Sequence, residues 1–145
     1  MVSKHCENSL VSSVEKRTAM ERDEELMRIR GVNQSEIQKN DLESFIKVTL
    51  RPTISFQKPI LISLIRHYVK ERKTNFNAFN QKVQKNIIKE FFEGEKELRR
   101  MLIQSVIGLF TTSELEMYYE YSMRLDTEIN DFIKREIVEN IEQLY

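Results

Sequence analysis

Cysteine, proline, glycine and tryptophan are nearly missing from this chain of 145 residues, which has one Cys, two Pro, three Gly and no Trp. A lone Cys6 cannot close an intramolecular disulfide and fits a reducing compartment. With so few chain breakers, long helices are the expected architecture. No apolar run approaches the roughly 20 residues of a membrane span, and Met1 to Glu7 lacks a signal peptide's apolar stretch. The expectation is a cytoplasmic protein without membrane insertion. No Gly-rich phosphate loop is present, which argues against nucleotide hydrolysis. His5, Cys6 and His67 offer no metal-ligand spacing, and no Ser-His-Asp or Cys-His pattern is visible. The expectation is therefore no enzyme, no cofactor and no metal.

Hydrophobic residues make up 40% of the chain and charged residues 32%, with 23 basic and 23 acidic side chains. The net charge of zero argues against non-specific polyanion binding. The distribution is uneven. Between Gln34 and Thr74 stand Lys39, Lys47, Arg51, Lys58, Arg66, Lys70, Arg72 and Lys73, against Glu36, Asp41, Glu43 and Glu71. The following stretch is net acidic. A basic middle and an acidic end suit two jobs on one chain, and solvated helix faces are the plain alternative.

Along the chain, Met1 to Asn8 reads as a loose arm. Ser9 to Val14 alternates Leu10, Ser12 and Val14 with Ser9, Val11 and Ser13, which reads as a short strand. The first turn of a longer helix is the other reading. Thr18 to Arg30 is a helix, opened by a Thr18/Glu21 capping box and closed by Gly31. Asn33 or Ser35 caps a second helix with Ile37, Leu42, Phe45, Ile46 and Leu50 on its apolar side, stopped by Pro52. Thr53 to Lys58 is a hinge. A third helix runs from Pro59 to Arg72 with Leu61, Leu64, Ile65, Tyr68 and Val69 inward. A fourth covers Phe79 to Leu109 through Val83, Ile87, Ile88, Phe91, Leu98, Leu102 and Val106. A fifth covers Ser113 to Tyr145 through Leu115, Tyr118, Leu125, Ile129, Phe132, Ile133, Ile137, Ile141 and Leu144. Glu114, Glu116 and Glu120 read as a solvated helix start. Tyr118, Tyr119 and Tyr121 suit an interface or a core equally.

The order strand, helix, Gly31-Val32-Asn33 turn, and helix opening Ser35-Glu36-Ile37, with Leu42-Glu43-Ser44-Phe45 beyond it, resembles the ribbon-helix-helix family of DNA-binding proteins, Arc-type phage repressors among them. The resemblance covers Ser9 to Lys47. It implies that two chains pair their strands into a ribbon that enters the major groove of double-stranded DNA. Ser9, Val11 and Ser13 would then face the bases. Asn33, Gln34 and Ser35, at the second helix's N-terminus, would hold a phosphate. Lys16, Arg17 and Lys39 would add phosphate contacts.

Further on, Ala78 to Glu90, with Phe79-Asn80-Gln81 and Glu90, is similar to the start of the C-terminal domain of TraM-type relaxosome accessory proteins of conjugative plasmids. Tyr119-Glu120-Tyr121-Ser122 followed by Glu128 to Ile137 is similar to that domain's last helix. This implies a tetramer that represses its own promoter, binds sites near a transfer origin and contacts a conjugation coupling protein.

The sequence expectation is thus a mainly α chain. Residues 1–50 form a ribbon-helix-helix unit with a short N-terminal strand, residues 51–78 a linker with a helix, and residues 79–145 a helical oligomerisation bundle. Self-association into a dimer or tetramer would cover Ile129, Phe132, Ile133, Ile137 and Ile141. The expected function is a sequence-specific DNA-binding autorepressor or plasmid-transfer accessory factor. The alternative is a helical protein-binding module, such as an antitoxin, adaptor or secretion partner, with Ser9 to Arg30 as a disordered or helical arm.

Overall fold

The computed structural model describes the backbone of residues 3–31 and 41–144. Every regular element among the described residues is helical. Helix α1 spans Ser3–Arg30, so Ser9 to Val14 is part of a longer helix and not a strand, and the segment read as a loose arm, Met1 to Asn8, is helical from Ser3. Ribbon-helix-helix architecture is corrected on that finding. No breaker interrupts Ser3 to Arg30, and the Glu, Arg, Met and Lys content favours a helix over its length. Ser9, Ser12, Ser13 and Val11 carry only small helix penalties, which a helix already nucleated on either side absorbs. Gly31 ends it at φ +67°, as expected from the glycine.

From Asp41 onward the chain is helical again, first at α2, Leu42–Phe45. Asp41 caps it, its carboxylate accepting the Glu43 N–H at 3.1 Å. A π-helical turn, Ile46–Leu50, joins α2 directly to α3, Arg51–Arg72. Pro52 therefore does not stop the helix. Its ring would collide with the carbonyl of Val48 in an α-helix. The wider π register, in which the Arg51 N–H reaches back to the Ile46 carbonyl, takes up the misfit. Pro59 lies inside α3, not in a first turn. It leaves the Ser55 carbonyl without the usual α-helical donor, at a point where both residues are exposed to solvent.

A 3₁₀ turn, Phe76–Ala78, leads into α4, Gln81–Gly94. Asn80 caps α4 by accepting the Val83 N–H at 3.0 Å. The expected fourth helix breaks at Glu95, whose extended backbone (φ −102°, ψ 91°) separates α4 from α5, Lys96–Ile107. The expected fifth helix breaks at Tyr121 (φ −122°, ψ 32°) into α6, Thr112–Glu120, and α7, Ser122–Glu139. A 3₁₀ turn, Ile141–Leu144, follows.

Helix α3 is the centre of the bundle, packed on α5, α7 and the final 3₁₀ turn, while α4 packs on α5 and α7. One core cluster runs from Phe45 to Leu144. Ile129, Ile133, Ile137 and Ile141 are each at most 2% exposed. Of the stripe expected to need a second copy for its burial, these isoleucines are covered within one chain and Phe132 is half-buried. Val83 is exposed, and Gln84 takes the inward position instead, donating to the Phe76 carbonyl at 3.0 Å.

The uneven charge has a structural outlet. Lys58 in the basic middle pairs with Glu136 of α7 at 3.3 Å. Arg66 donates to the Gln143 carbonyl at 2.6 Å. Arg72 stacks on Tyr68, 3.7 Å from the ring centroid, and lies 4.0 Å from Glu97. Part of the basic stretch thus ties α3 to the acidic half of the same chain. No described helix is long and apolar enough to cross a membrane.

Candidate functional site: the arginine clamp on the turn between α5 and α6

Where α5 ends, its final carbonyls have no helical N–H to accept, and they carry the negative end of the helix dipole. The turn from Gly108 to Thr111 is tight, with Leu109 N–H bonded to the Val106 carbonyl and Phe110 N–H to the Ile107 carbonyl. Beneath it the Phe110 ring is buried and meets Phe45 and Tyr118 edge-on at 5.7 and 6.4 Å. This apolar pin fixes the turn so that the carbonyls of Gly108, Leu109 and Phe110 all meet α1.

Helix α1 supplies the complement. Arg22 donates to the Phe110 carbonyl at 3.0 Å and to the Gly108 carbonyl at 2.8 Å. Arg30 donates to the Leu109 carbonyl at 2.5 Å. It also grips Glu114 through two bonds of 2.7 Å each. The carboxylate of Asp23 accepts the Thr112 N–H and, at 2.6 Å, the Thr112 hydroxyl. Among the α1 side chains described, residues 17–30, those turned from solvent are Ala19, Asp23, Leu26, Met27 and Arg30, a stripe at helical spacing. Leu26 is the one buried apolar side chain of that stripe. Its burial contributes roughly 1.5–3 kcal/mol. Most of what orients α1 is therefore charge and hydrogen bonding.

Glu114 is held from both sides. Thr111 and Glu114 form a reciprocal capping box at the start of α6, with the Thr111 N–H donating to Glu114 at 2.8 Å. Burial by itself pushes the Glu114 carboxyl up. The hydrogen bonds from Arg30 and Thr111 outweigh it and leave the group below the ordinary carboxylate value. The expectation of a solvated Glu114 is corrected: its side chain is 5% exposed and that of Arg30 is 0% exposed. Arg30 Nε lies buried with no hydrogen-bond partner among the described residues. Nearby, Tyr118 donates to Asp126. Burial first, and that carboxylate second, raise the Tyr118 hydroxyl above the ordinary phenol range.

The clamp grips guanidinium groups, so its chemistry is recognition. Met20 and Ile29 are 65% and 42% exposed; their spacing turns them about 180° apart around α1, one on each flank of the docked stripe. The Ser9, Val11 and Ser13 assigned to base readout lie within α1, where positions two apart are turned by about 200° around the axis. The ribbon that grouped them is absent. Asn33, Gln34, Ser35 and Lys39, with Ile37, lie outside the described residues. A shallow apolar cleft of about 290 Å³ between α3 and α7, with Leu61, Ile62, Phe132 and Ile133 in its wall, carries Lys58 and Glu136 at its edge.

Sequence reasoning misses Arg22, Arg30 and Glu114. The Thr-Thr-Ser-Glu run at residues 111–114 carries a capping-box signal, and it marks the start of α6. It does not mark a partner 84 residues away. No protein-family model matches this chain, and neither a curated protein nor a solved structure matches it.

Proposed function

We propose that the chain is a non-catalytic, cytoplasmic helical module that binds another protein, in the manner of an adaptor, antitoxin or secretion partner, with α1 as its presenting helix. The observation that carries the reading is the one-sided attachment of α1. Its described contacts hold it to the bundle through one polar face, while Met20 and Ile29 stay exposed on its two flanks. A helix of 28 residues is about 42 Å long, and its described anchors all fall between Arg22 and Arg30. Helices commonly meet partners through exposed apolar anchors, and these two would serve contacts on either flank of α1. The competing reading, recognition of double-stranded DNA, has lost the ribbon on which it rested.

Two measurements test the proposal together. A photo-crosslinking residue placed at Met20 or Ile29 in cells should capture one protein reproducibly, and that protein, once purified, should bind the full chain. Met20→Glu with Ile29→Glu should weaken binding by tenfold or more. A titration with DNA fragments at low salt, where phosphate contacts are strongest, should show no selective binding. Tight, salt-sensitive binding to one fragment would overturn the reading in favour of DNA.

A further inference from the structure

The turn between α5 and α6 receives two arginines of α1. Three successive carbonyls and one buried carboxylate converge on it, and Thr112 adds an N–H and a hydroxyl that take a carboxylate. The matching ligand is written in α1: Arg22 with Asp23 beside it, and Arg30 eight residues further, a little over two helical turns on the same face. The fit of this internal ligand is incomplete. Arg22 remains 47% exposed, and the Nε of Arg30 is buried without a partner among the described residues. Leu26 is the only buried apolar side chain among the described residues of the stripe, and the attraction between the charges that docking brings together is set against the desolvation of the same ions.

The geometry points to α1 as a displaceable latch, and to the Gly108–Glu114 turn as a site that accepts an arginine-bearing helix from a partner protein once α1 leaves. The partner is defined by charge complementarity. It presents two arginines about eight residues apart on one helical face, with a carboxylate next to the first. This deepens the protein-binding reading proposed above and rests on it. While α1 is docked it competes at high effective concentration, so the site opens only to a helix that binds better or when α1 is drawn away.

The probe is a fluorescent peptide of this chain's residues 17–31, and the receptor is the full chain with Arg22→Ala and Arg30→Ala, whose own α1 cannot fill the turn. Saturable binding to this double variant is expected, at least tenfold tighter than to the unaltered chain. Adding Glu114→Gln should abolish it, as should replacing both arginines of the peptide by alanine. Absence of binding to a double variant that keeps its helical signal and cooperative melting overturns the proposal. Equal binding with and without Glu114→Gln overturns it too. If the double variant does not fold, hydrogen exchange on the unaltered chain decides. Leu26 to Arg30 amides exchanging at least tenfold faster than those around Ile65 and Ile133 support a latch, and equal protection rejects it. Growth of a dimer with concentration, in which α1 is exchanged between copies, would put a second copy in the site and overturn the assignment to a foreign helix. Crosslinking at Met20 and Ile29 reports on the exposed flanks of α1, so it can succeed while the latch fails.

Discussion

Arg30 and Glu114 meet across a fork of two 2.7 Å hydrogen bonds, both side chains out of solvent, and the pair couples the last turn of α1 to the first turn of α6. In a buried pair the mutual attraction is largely offset by the cost of removing both charges from water. Removing one charge is therefore far more damaging than removing both. The pair also selects an orientation: a guanidinium fork accepts a carboxylate in few geometries, so α1 is held in one register although little apolar surface supports it.

Glu114→Gln should strip the compensating charge from Arg30 and destabilise the docked state by about 3 kcal/mol. Urea denaturation followed by circular dichroism checks this. The paired change Arg30→Met with Glu114→Leu should cost clearly less than the two single changes added together. A Glu114→Gln cost below about 1 kcal/mol would mean that the pair is effectively solvated.

Acid should release α1 before it unfolds the bundle. The Glu114 carboxyl is lowered relative to its ordinary value of 4.5. Its stabilising contribution is therefore fully present above that value and is lost as pH falls through the lower, folded-state value. Glu25 is lowered as well, by its hydrogen bond to Arg28, but that pair is on the surface, where solvent screens it. Followed from pH 6 downward, the protection factors of α1 amides, which divide out the intrinsic pH dependence of exchange, should fall below about pH 4.5, and Glu114→Gln should flatten the response. An α1 equally protected at both ends of the range would contradict the assignment.

The helical class and most of the core are legible in the sequence, because periodicity reports directly on burial. Spacing alone turns Ile65, Ile88, Leu98, Leu102, Ile129 and Ile137 inward, and all are buried. Ser9 to Val14 misleads because alternation over six residues is compatible with either element, and the uninterrupted content of helix formers on both sides decides it. Pro52 misleads because the rule before proline assumes α geometry, and a π turn evades it. The break at Glu95 directly follows Gly94, which a helical reading passes over as a small interior cost, and the break at Tyr121 carries neither glycine nor proline. The clamp is illegible for a different reason: Arg22, Arg30 and Glu114 look like ordinary surface charges until the fold brings segments more than 80 residues apart into contact.

Tyr118 offers a check at the opposite end of the pH scale. Its hydroxyl donates to Asp126, and burial followed by that carboxylate raises it above the ordinary value of 10. A raised folded-state value means stability that is present below the ordinary value and lost as pH rises through the folded one. Tyr118→Phe should remove one late-ionising phenol from an alkaline absorbance titration and cost about 1 kcal/mol. Tyr68, raised by burial and by its bond to Glu95, is the other late phenol. If Tyr118→Phe leaves the late phase of the titration unchanged, the Tyr118–Asp126 bond does not form in solution.

Gly31 isolates the exit of α1 from every other contact. Its φ is +67°, and a Cβ built there has no atom within 4 Å. Any penalty for a side chain is therefore backbone strain alone, about 1 kcal/mol for alanine in the left-handed region. Asparagine tolerates that region better than alanine does, so Gly31→Asn should cost less than Gly31→Ala. Because α1 joins the bundle through its last turns, the loss should appear as faster amide exchange in Leu26 to Arg30 while the core around Ile65 and Leu102 keeps its protection. Equal losses in α1 and in the core would show instead that α1 and the bundle unfold as one unit, and the latch would have no independent opening.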